Sequence, residues 1–502
     1  MSDEEPLSSP ERPGESRSPV SRAELRYPPQ TYYRSVALGT VFPGLGLLRT
    51  RWRALGAGLI VVSIAVIAFA LVRLWRGGVL RSVLDASVRP EVLQWVGLGV
   101  LVGAVLWVGS IVLTAEQTWP RRQAAGRLAR VAFAAVACLI IAAPASLAVQ
   151  FLEIQTSVIE ESFGGPDDNN NGLTGGTEQD PWAGTDRVNT LLIGSDAGKE
   201  RIGVRTDSLM VVSTNTKTGD TLLIGIPRNL EFVPIPDDNP LSTVWPNGYN
   251  CGDECLMNGI WTLAEERADL FPGVESPGRQ STIDVVGEIV GLEIDNSVVV
   301  NLAGFTALVD AMGGVEINVQ ERVCVDCAGR PDGSIRWTRG VERWIEPGVQ
   351  RLDGKLALWY SRSRAGSDDF SRMRRQRCVA GALIDQADPV SLLRNYPALA
   401  AVVKDNIDFD IPQQDLPAWV DLILRVQEGG SIRSLAFTNK VINPGDPDYA
   451  EIRRLVEKSL DPPAKSTASP KPSATSSSTS GSSPSPTESP DDSEANEIGV
   501  TC

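Results

Sequence analysis

Six arginines lie between Tyr360 and Arg377, around the adjacent carboxylates of Asp368 and Asp369. The whole chain carries a formal net charge of −15, so this basic cluster stands out in an acidic protein. A guanidinium group is planar, permanently charged and donates two parallel hydrogen bonds, which suits phosphate and pyrophosphate oxygens. The plain alternative is a solvated helix face. The cluster is the strongest functional signal in the sequence.

The spacing of the first arginines favours a binding pocket over a solvated face. In an extended segment, Arg362 and Arg364 point to the same side as Tyr360. Asp369 then falls where a helix would begin, a position that favours carboxylates. We therefore expect these four residues to lie together at the entrance to a helix.

Beyond the acidic pair the sequence predicts a helix with one special stripe. The stripe is polar at its beginning and apolar at its end, which is typical of a pocket floor that continues into a core. Its members are Arg372, Gln376, Val379 and Leu383. The other arginines of the helix, Arg374, Arg375 and Arg377, are expected in solvent or at an interface.

Composition excludes several classes of function. The chain contains no histidine, which rules out Ser-His-Asp and Cys-His nucleophile systems, HExxH zinc sites and a histidine general base. Catalysis would have to use arginines, carboxylates, hydroxyl groups, lysine or a metal held by oxygen atoms. The acidic balance also argues against nucleic acid as the main partner, since nucleic-acid-binding domains usually carry broad basic surfaces.

Further charged residues stand at the ends of predicted strands. Asp196 follows the first strand of the globular region, Arg205 and Asp207 come at the start of the second, and Arg228 follows the third. Each alone could be a surface charge in a turn. Together with the arginine cluster they suggest oxygen ligands for Mg²⁺ and guanidinium groups for an anion.

Three apolar runs predict membrane spans: Ala54 to Val72, about Trp95 to Thr114, and about Val131 to Val149. A shorter run from Val36 to Leu48 contains Pro43 and is interpreted as interfacial or re-entrant. Arginines flank the first span and fill the loop between the second and third, which the positive-inside rule assigns to the cytoplasm. The prediction is a multi-pass cell-membrane protein whose domain after Gln150 is extracytoplasmic.

The rest of the chain divides by composition. Short β-branched runs interleaved with helical periodicity predict a layered α/β domain. The predicted regions are a disordered cytoplasmic segment 1–35, a membrane region 36–152, a linker 153–186, the globular domain 187–460 and a disordered Ser/Pro-rich tail 461–502.

Two motifs leave alternatives open. The linker sequence from Asp167 to Glu178 fits a calcium-loop pattern, but prolines stand where flanking helices should be, and a flexible linker is favoured. Two close cysteine pairs suggest two local disulfides or one cross-linked pair of loops, with a four-thiolate zinc site as the weaker alternative. These pairs are Cys251 with Cys255 and Cys324 with Cys327.

Four segments, taken in order, resemble the LytR-CpsA-Psr family of cell-envelope ligases. They read NTLLIGSD, RTDSLMVVSTNTKTGDTLLIGIPRN, NLAGFTALVDAMGGVEINV and LDGKLALWYSRSRAGSDDFSRMRRQ, spread over roughly residues 189–386. The resemblance implies an α/β/α sandwich with a long apolar pocket. It also implies the Mg²⁺-assisted transfer of a glycopolymer from a polyprenyl-pyrophosphate carrier to a peptidoglycan acceptor, which forms a phosphodiester link.

The resemblance also implies roles for residues. Asp196 and Asp207 would position Mg²⁺, Asp369 would orient an arginine or act as a base, and Arg205 and Tyr360 would contact substrate. The pyrophosphate would be bound by Arg228, Arg362, Arg364, Arg372 and Gln376.

The sequence departs from the family at Asn229, where an aspartate usually follows the Pro-Arg pair. Two alternatives to a ligase stay open. One is a polyprenyl-pyrophosphate hydrolase, and the other is a non-catalytic binder of the lipid carrier, which Asn229 slightly favours. The sequence does not choose among arabinogalactan, teichoic-type and capsular polymers.

Overall fold

The computed structural model divides the chain into two compact units. It describes residues 29–120, 126–162, 180–195, 206–252, 254–330, 332, 334–338, 340, 342–386, 403–404, 406–438, 441–460 and 495–497. The first unit holds the apolar helices, and the second contains the globular domain together with residues 80–94.

Three helices of the described chain are long and apolar enough to cross a membrane, as predicted. The Val36 to Leu48 run is a helix followed by a 3-10 turn, so it is too short to span. In this turn, a Cβ on Gly46 would lie 2.5 Å from the carbonyl oxygen of Ser35, which requires glycine there. The helices are α1 (Pro29–Val41), the 3-10 turn Leu45–Arg49, α2 (Arg53–Gly77), α3 (Val79–Ser87), α4 (Pro90–Gln117) and α5 (Arg127–Ser162).

A seven-stranded mixed sheet organises the second unit, in the order β11-β4-β1-β2-β3-β12-β13. Strands β1 and β4 are parallel, as are β3 and β12, and β2 runs antiparallel to both β1 and β3. The carboxyl ends of β1, β3, β4 and β12 therefore share one edge with the start of β2. The strands are β1 (Arg187–Ser195), β2 (Thr206–Asn215), β3 (Thr221–Ile226), β4 (Asn296–Asn301), β11 (Ile407–Phe409), β12 (Ile432–Leu435) and β13 (Asn496–Glu497).

Helices cover both faces of this sheet, which confirms the predicted α/β/α sandwich. On one face, Leu191, Ile224 and Val286 belong to a large buried cluster. On the other face, the guanidinium of Arg377 donates to Ser434 of β12. The helices are α6 (Ile260–Glu266), α7 (Pro277–Val290), α8 (Leu302–Ala311), α9 (Gly354–Arg362), α10 (Asp369–Gln386), α11 (Leu416–Gly429) and α12 (Tyr449–Leu460).

A second core lies beside α10 and includes Val309, Ile317 and Val379. Three short antiparallel ladders lie between α8 and α9 in sequence: β5 with β10, β6 with β9, and β7 with β8. Their bounds are β5 (Val315–Val319), β6 (Val323–Cys324), β7 (Cys327–Gly329), β8 (Ile335–Trp337), β9 (Trp344–Ile345) and β10 (Gly348–Leu352).

Several boundaries differ from the predictions. Helix α5 continues to Ser162, so the predicted linker begins about ten residues later than expected. Within the tail that was predicted to be disordered, Asn496 and Glu497 pair with β12 as an edge strand. The calcium-loop pattern at 167–178 lies outside the described residues.

The cysteines form the two local disulfides, Cys251–Cys255 and Cys324–Cys327, and this decides against the zinc alternative. Cys378 is buried and is also disulfide-bonded. Within the described part of the chain, Cys138 alone is free.

Candidate active site

Three elements bring charged residues to the same edge of the sheet. Asp207 stands at the start of β2 and Arg228 just after β3, while Asp369 begins α10 and Arg372 lies one turn further along that helix. Asp368 caps α10, because its carboxylate accepts a 2.8 Å hydrogen bond from the Ser371 N–H. The predicted helix start is confirmed, and of the charged residues predicted at strand ends, Asp207 and Arg228 lie together in the described part of the structure.

Arg228 lies between two carboxylates from different elements. Its Nη1 donates to Oδ1 of Asp207 at 2.6 Å, and its Nε lies 3.6 Å from Oδ1 of Asp369. Asp369 also accepts a 2.9 Å hydrogen bond from Nη2 of Arg372. The result is a continuous chain of alternating charges, Asp207, Arg228, Asp369 and Arg372, across the edge of the sheet.

Two hydrogen-bond donors in this chain of charges have no acceptor among the described residues. The Nε–H groups of Arg228 and Arg372 are buried and have no hydrogen-bond partner in the described part of the structure. Burying a donor without a partner is costly, and native proteins rarely leave such groups unsatisfied. Both donors belong to the two central arginines, and the Nε of Arg228 lies 3.6 Å from Oδ1 of Asp369, beyond hydrogen-bond range. An anion bound at this edge would supply the missing acceptors.

The electrostatics also favour an anion. Burial is the main cause that lowers the pKa of Arg372 to about 10; the like charges of Arg228 and Arg364 contribute to the shift, and Asp369 opposes it. The charge of Arg364 therefore also acts on Arg372. Arg372 stays cationic at neutral pH, and a bound anion would offset both the desolvation and the repulsion.

The expectation of an extended segment at Tyr360 was wrong. Tyr360 and Arg362 belong to helix α9, and the ring of Tyr360 is 3% exposed, within the second core. Tyr360 is therefore a core residue that supports the site through packing, and its side chain is not accessible to a ligand. Arg362 and Arg364 are exposed, with the guanidinium of Arg362 5.5 Å from the centre of the Trp359 ring.

Two of the three arginines expected in solvent or at an interface are core residues. Arg375 is 2% exposed and Arg377 is 3% exposed, and both are hydrogen-bonded inside the domain. Arg374 alone matches the expectation, because its half-exposed side chain pairs with Glu321 at 3.0 Å. Gln376 is half-buried, one turn from Arg372 on the same face of α10.

Of the two predicted Mg²⁺ ligands, Asp207 lies within the described residues. Asp196 and Arg205 lie outside them, and no group of three or more Cys, Asp or Glu able to hold a metal occurs within them. The donor chemistry of Asp207 still fits Mg²⁺, because Oδ1 pairs with Arg228 and Oδ2 has no hydrogen-bond partner among the described residues. Mg²⁺ commonly binds proteins through one or two carboxylates and completes its shell with water and substrate phosphate.

The guanidinium of Arg228 is held without an aspartate at position 229. Asp207 and Asp369 already bind the guanidinium, so the aspartate missing at Asn229 is not needed to hold it. The backbone around Arg228 is fixed as well, since the Asn258 N–H donates to its carbonyl oxygen at 3.0 Å. This hydrogen bond joins segments that are 30 residues apart in the sequence, and no sequence pattern predicted it.

Comparison with known proteins gives a family match over more than half of the chain. The model of the LytR_cpsA_psr family matches residues 158–444. A relative from Halalkalibacterium halodurans, named polyisoprenyl-teichoic acid–peptidoglycan teichoic acid transferase TagU, is 25% identical over 237 residues, which cover 46% of this chain and 62% of the relative. The probable cell wall biosynthesis protein LcpB of Corynebacterium glutamicum is 29% identical over 240 residues, covering 44% and 48%.

The matched segment thus spans less than two thirds of these curated relatives. Among solved structures, protein gbs0355 of Streptococcus agalactiae superposes with a TM-score of 0.40 and 20% identity, covering 55% of this chain and 88% of that one. TagT of Bacillus subtilis gives a TM-score of 0.38 and 20% identity, covering 59% and 97%.

Proposed function

Because the chain belongs to the LytR_cpsA_psr family, we propose that it is a membrane-anchored phosphotransferase. In this proposal it moves a glycopolymer from a polyprenyl-pyrophosphate carrier to peptidoglycan. The names of relatives such as TagU, a teichoic acid transferase, support the class of reaction. The observation that carries the proposal is the alternating set Asp207, Arg228, Asp369 and Arg372 at one edge of the sheet, in which the buried Nε–H groups of the two arginines have no hydrogen-bond partner among the described residues.

The chain's own residues would act mainly by binding and alignment. An acceptor hydroxyl attacks the phosphorus nearest the glycan, and the bond from that phosphorus to the oxygen of polyprenyl phosphate breaks. Arg228, Arg364 and Arg372 would bind the pyrophosphate oxygens and stabilise negative charge as it develops on the leaving phosphate. Phosphoryl transfer needs little covalent help from the protein, which agrees with a chain that has no histidine.

Asp369 has two roles available. Its Oδ2 accepts from Arg372, which keeps that guanidinium aimed along the site, and its Oδ1 faces Arg228 at 3.6 Å. We assign it the orientation of both arginines, with acceptance of the proton from the attacking hydroxyl as its second role. Arg362 and Gln376 complete the anion site, and Arg205 contacts the substrate.

We propose that Asp196 and Asp207 hold Mg²⁺. When bound, the ion would neutralise charge on the pyrophosphate oxygens. Asp207, which would hold the ion, also accepts a hydrogen bond from Arg228, which would bind the anion. The domain would stand outside the cell, where the lipid-linked donor and the wall are both within reach.

The test uses the full-length chain in detergent with Mg²⁺, a lipid-pyrophosphate-linked glycan and peptidoglycan fragments. A covalent glycan–peptidoglycan product supports the proposal. Release of free glycan phosphate would indicate a hydrolase, and bound but unchanged donor would indicate a carrier-binding protein. Either result would replace the proposal.

Arg372→Ala should abolish the transfer, with a loss of at least about a hundredfold, as for other removed charge-stabilising donors. Arg374→Ala is the matched control, because Arg374 lies on the same helix and points to Glu321. Normal turnover in the Arg372 variant would refute the site assignment.

A further inference from the structure

The segment that joins α9 to α10 carries part of the candidate site. It runs from Ser363 to Asp368, contains Arg364 and leads directly into Asp369. Connections of this kind tend to be mobile when only solvent surrounds them. Here the inner side of the segment rests on one buried guanidinium, that of Arg375.

Arg375 is bonded to the backbone on both sides of the end of α9. Its Nε donates to the carbonyl oxygen of Tyr360 at 2.7 Å, and its Nη2 donates to the carbonyl oxygen of Ser363. Both terminal nitrogens also lie 3.4 Å from the hydroxyl oxygen of Ser367. One side chain therefore contacts the segment at its beginning and near its end.

Ser363 is held at each of its polar atoms. Its N–H donates to the Trp359 carbonyl at 2.9 Å, its carbonyl accepts from Arg375, and its hydroxyl lies 3.6 Å and 3.7 Å from the sulfurs of Cys324 and Cys327. It is also 4% exposed. Its two neighbours in sequence are Arg362 and Arg364, so fixing Ser363 fixes the backbone from which both arginines project.

The energetics explain why this position suits arginine. Burial lowers the pKa of Arg375, so keeping it charged has a cost, and Glu321 at 3.6 Å offsets only part of that cost. The carbonyl groups at the end of α9 carry the negative end of the helix dipole and favour a cation there. A guanidinium reaches two carbonyls at once with fixed geometry, which the single ammonium of a lysine does not reproduce.

We propose that Arg375 is a positioning residue that sets the placement of Arg362 and Arg364 through the backbone of the 363–367 segment. It touches no substrate. The inference rests on the proposed function for its kinetic consequence, but its structural consequence is independent of any activity.

The test compares two lysine substitutions in the full-length chain. Arg375→Lys replaces the guanidinium that bonds to the segment by a single ammonium group. Arg377→Lys makes the same chemical change at an equally buried arginine, which contacts Ser434 in β12. We expect amide hydrogen exchange at residues 363–367 to accelerate at least tenfold in Arg375→Lys alone. We also expect the Kd for inorganic pyrophosphate to rise at least tenfold, with Tm matched to the Arg377 variant.

A double-mutant cycle separates positioning from general loosening. If Arg375 acts through Arg364, Arg364→Ala should weaken pyrophosphate binding strongly in the wild-type background and less than about threefold in the Arg375→Lys background. Additive losses, or equal effects of the two lysine variants, would overturn the inference. If Arg375→Lys does not fold, Ser363→Ala, which keeps the buried charge, should accelerate exchange in the same segment.

The two proposals fail in different ways. Unchanged exchange at 363–367 in both Arg375→Lys and Ser363→Ala overturns the positioning role, whatever the protein catalyses. A wild-type chain that shows no transfer but binds pyrophosphate overturns the transferase and leaves the positioning role supported by its own readouts.

Discussion

Arg228 joins the site because two carboxylates from separate elements share it. Asp207 comes from the sheet and Asp369 from helix α10, at 2.6 Å and 3.6 Å from the guanidinium. The two carboxylates thereby couple the sheet edge to the helix that carries Arg372. Loss of the charge at either position would leave Arg228 less firmly oriented, whereas both charge partners of its guanidinium among the described residues are at positions other than 229.

These contacts predict different outcomes for two substitutions beside Arg228, one that adds a carboxylate and one that removes a carboxylate. Asn229→Asp restores the residue usual in the family and should leave the transfer rate within about twofold, because Arg228 is already oriented. Asp207→Asn removes the closest charge partner and should lower kcat/KM by at least about tenfold. Initial rates with a lipid-linked donor check both. A large gain from Asn229→Asp would mean that Asp207 and Asp369 do not suffice.

At the level of single residues, the sequence predicted those functional groups that local spacing controls. Strand ends and helix starts placed Asp207, Arg228 and Asp369 together, because neighbouring strands of a sheet bring their ends to a common edge. The burial of Arg375 and Arg377 was not predictable. It depends on carbonyls of α9 and a serine of β12, partners 12 to 57 residues away in sequence.

The approach of helix α9 to α8 depends on one glycine. A Cβ at Gly354 would lie 2.0 Å from the carbonyl oxygen of Thr306, while the Gly354 N–H donates to Asp310 at 2.7 Å. The two helices therefore touch through backbone, with no room for a methyl group. Since α9 ends at Arg362, this contact also fixes the position at which the segment from Ser363 to Asp368 leaves the helix.

Gly354→Ala should destabilise the domain by about 1–3 kcal/mol, the usual cost of overpacking, and should reduce transfer. Gly429→Ala is the control, because no atom lies within 4 Å of its Cβ position in α11. Thermal unfolding of both variants in the same detergent checks this. Equal Tm values for the two would show that α8 and α9 tolerate separation.

The Cys251–Cys255 bridge stabilises the segment that supports Arg228. Two residues after Cys255, the Met257 N–H donates to the Leu230 carbonyl and the Asn258 N–H to the Arg228 carbonyl, both at 3.0 Å. The double change of both cysteines to serine should remove about 2 kcal/mol of stability, the chain-entropy value for so short a loop. It should also lower transfer. Denaturant unfolding with and without reductant checks the prediction, since the variant should no longer respond at this bridge.

Among whole elements, those with a strong local signal were predicted well. The β-branched and aliphatic runs at Thr221–Ile226 and Val315–Val319, which stand between turn residues, form strands β3 and β5. Helix α9 was missed, since its residues were interpreted through the arginine spacing alone. Strand β13 was missed because a short segment in a Ser/Pro-rich tail carries no strand signal, and its pairing with β12 supplies the stabilisation.

At the scale of the molecule, function depends on where the domain lies relative to the membrane. Arginine-rich segments at 49–53 and 121–130 stand at the beginning of the first and the third apolar helix. Lys and Arg are retained on the cytoplasmic side of short loops. On this rule and with three spans, we propose that the chain after α5 emerges on the opposite side from those arginines.

This orientation predicts which positions a membrane-impermeant maleimide can reach in intact cells. Val349→Cys, at a position 70% exposed in the globular domain, should react, and Ala125→Cys, in the basic segment between the second and third spans, should react only after permeabilisation. The unsubstituted chain gives the background, since Cys138 is the free thiol of the described residues. The reverse pattern would place the arginine site in the cytoplasm, away from any wall acceptor, and would exclude the proposed transfer regardless of how well the site binds pyrophosphate.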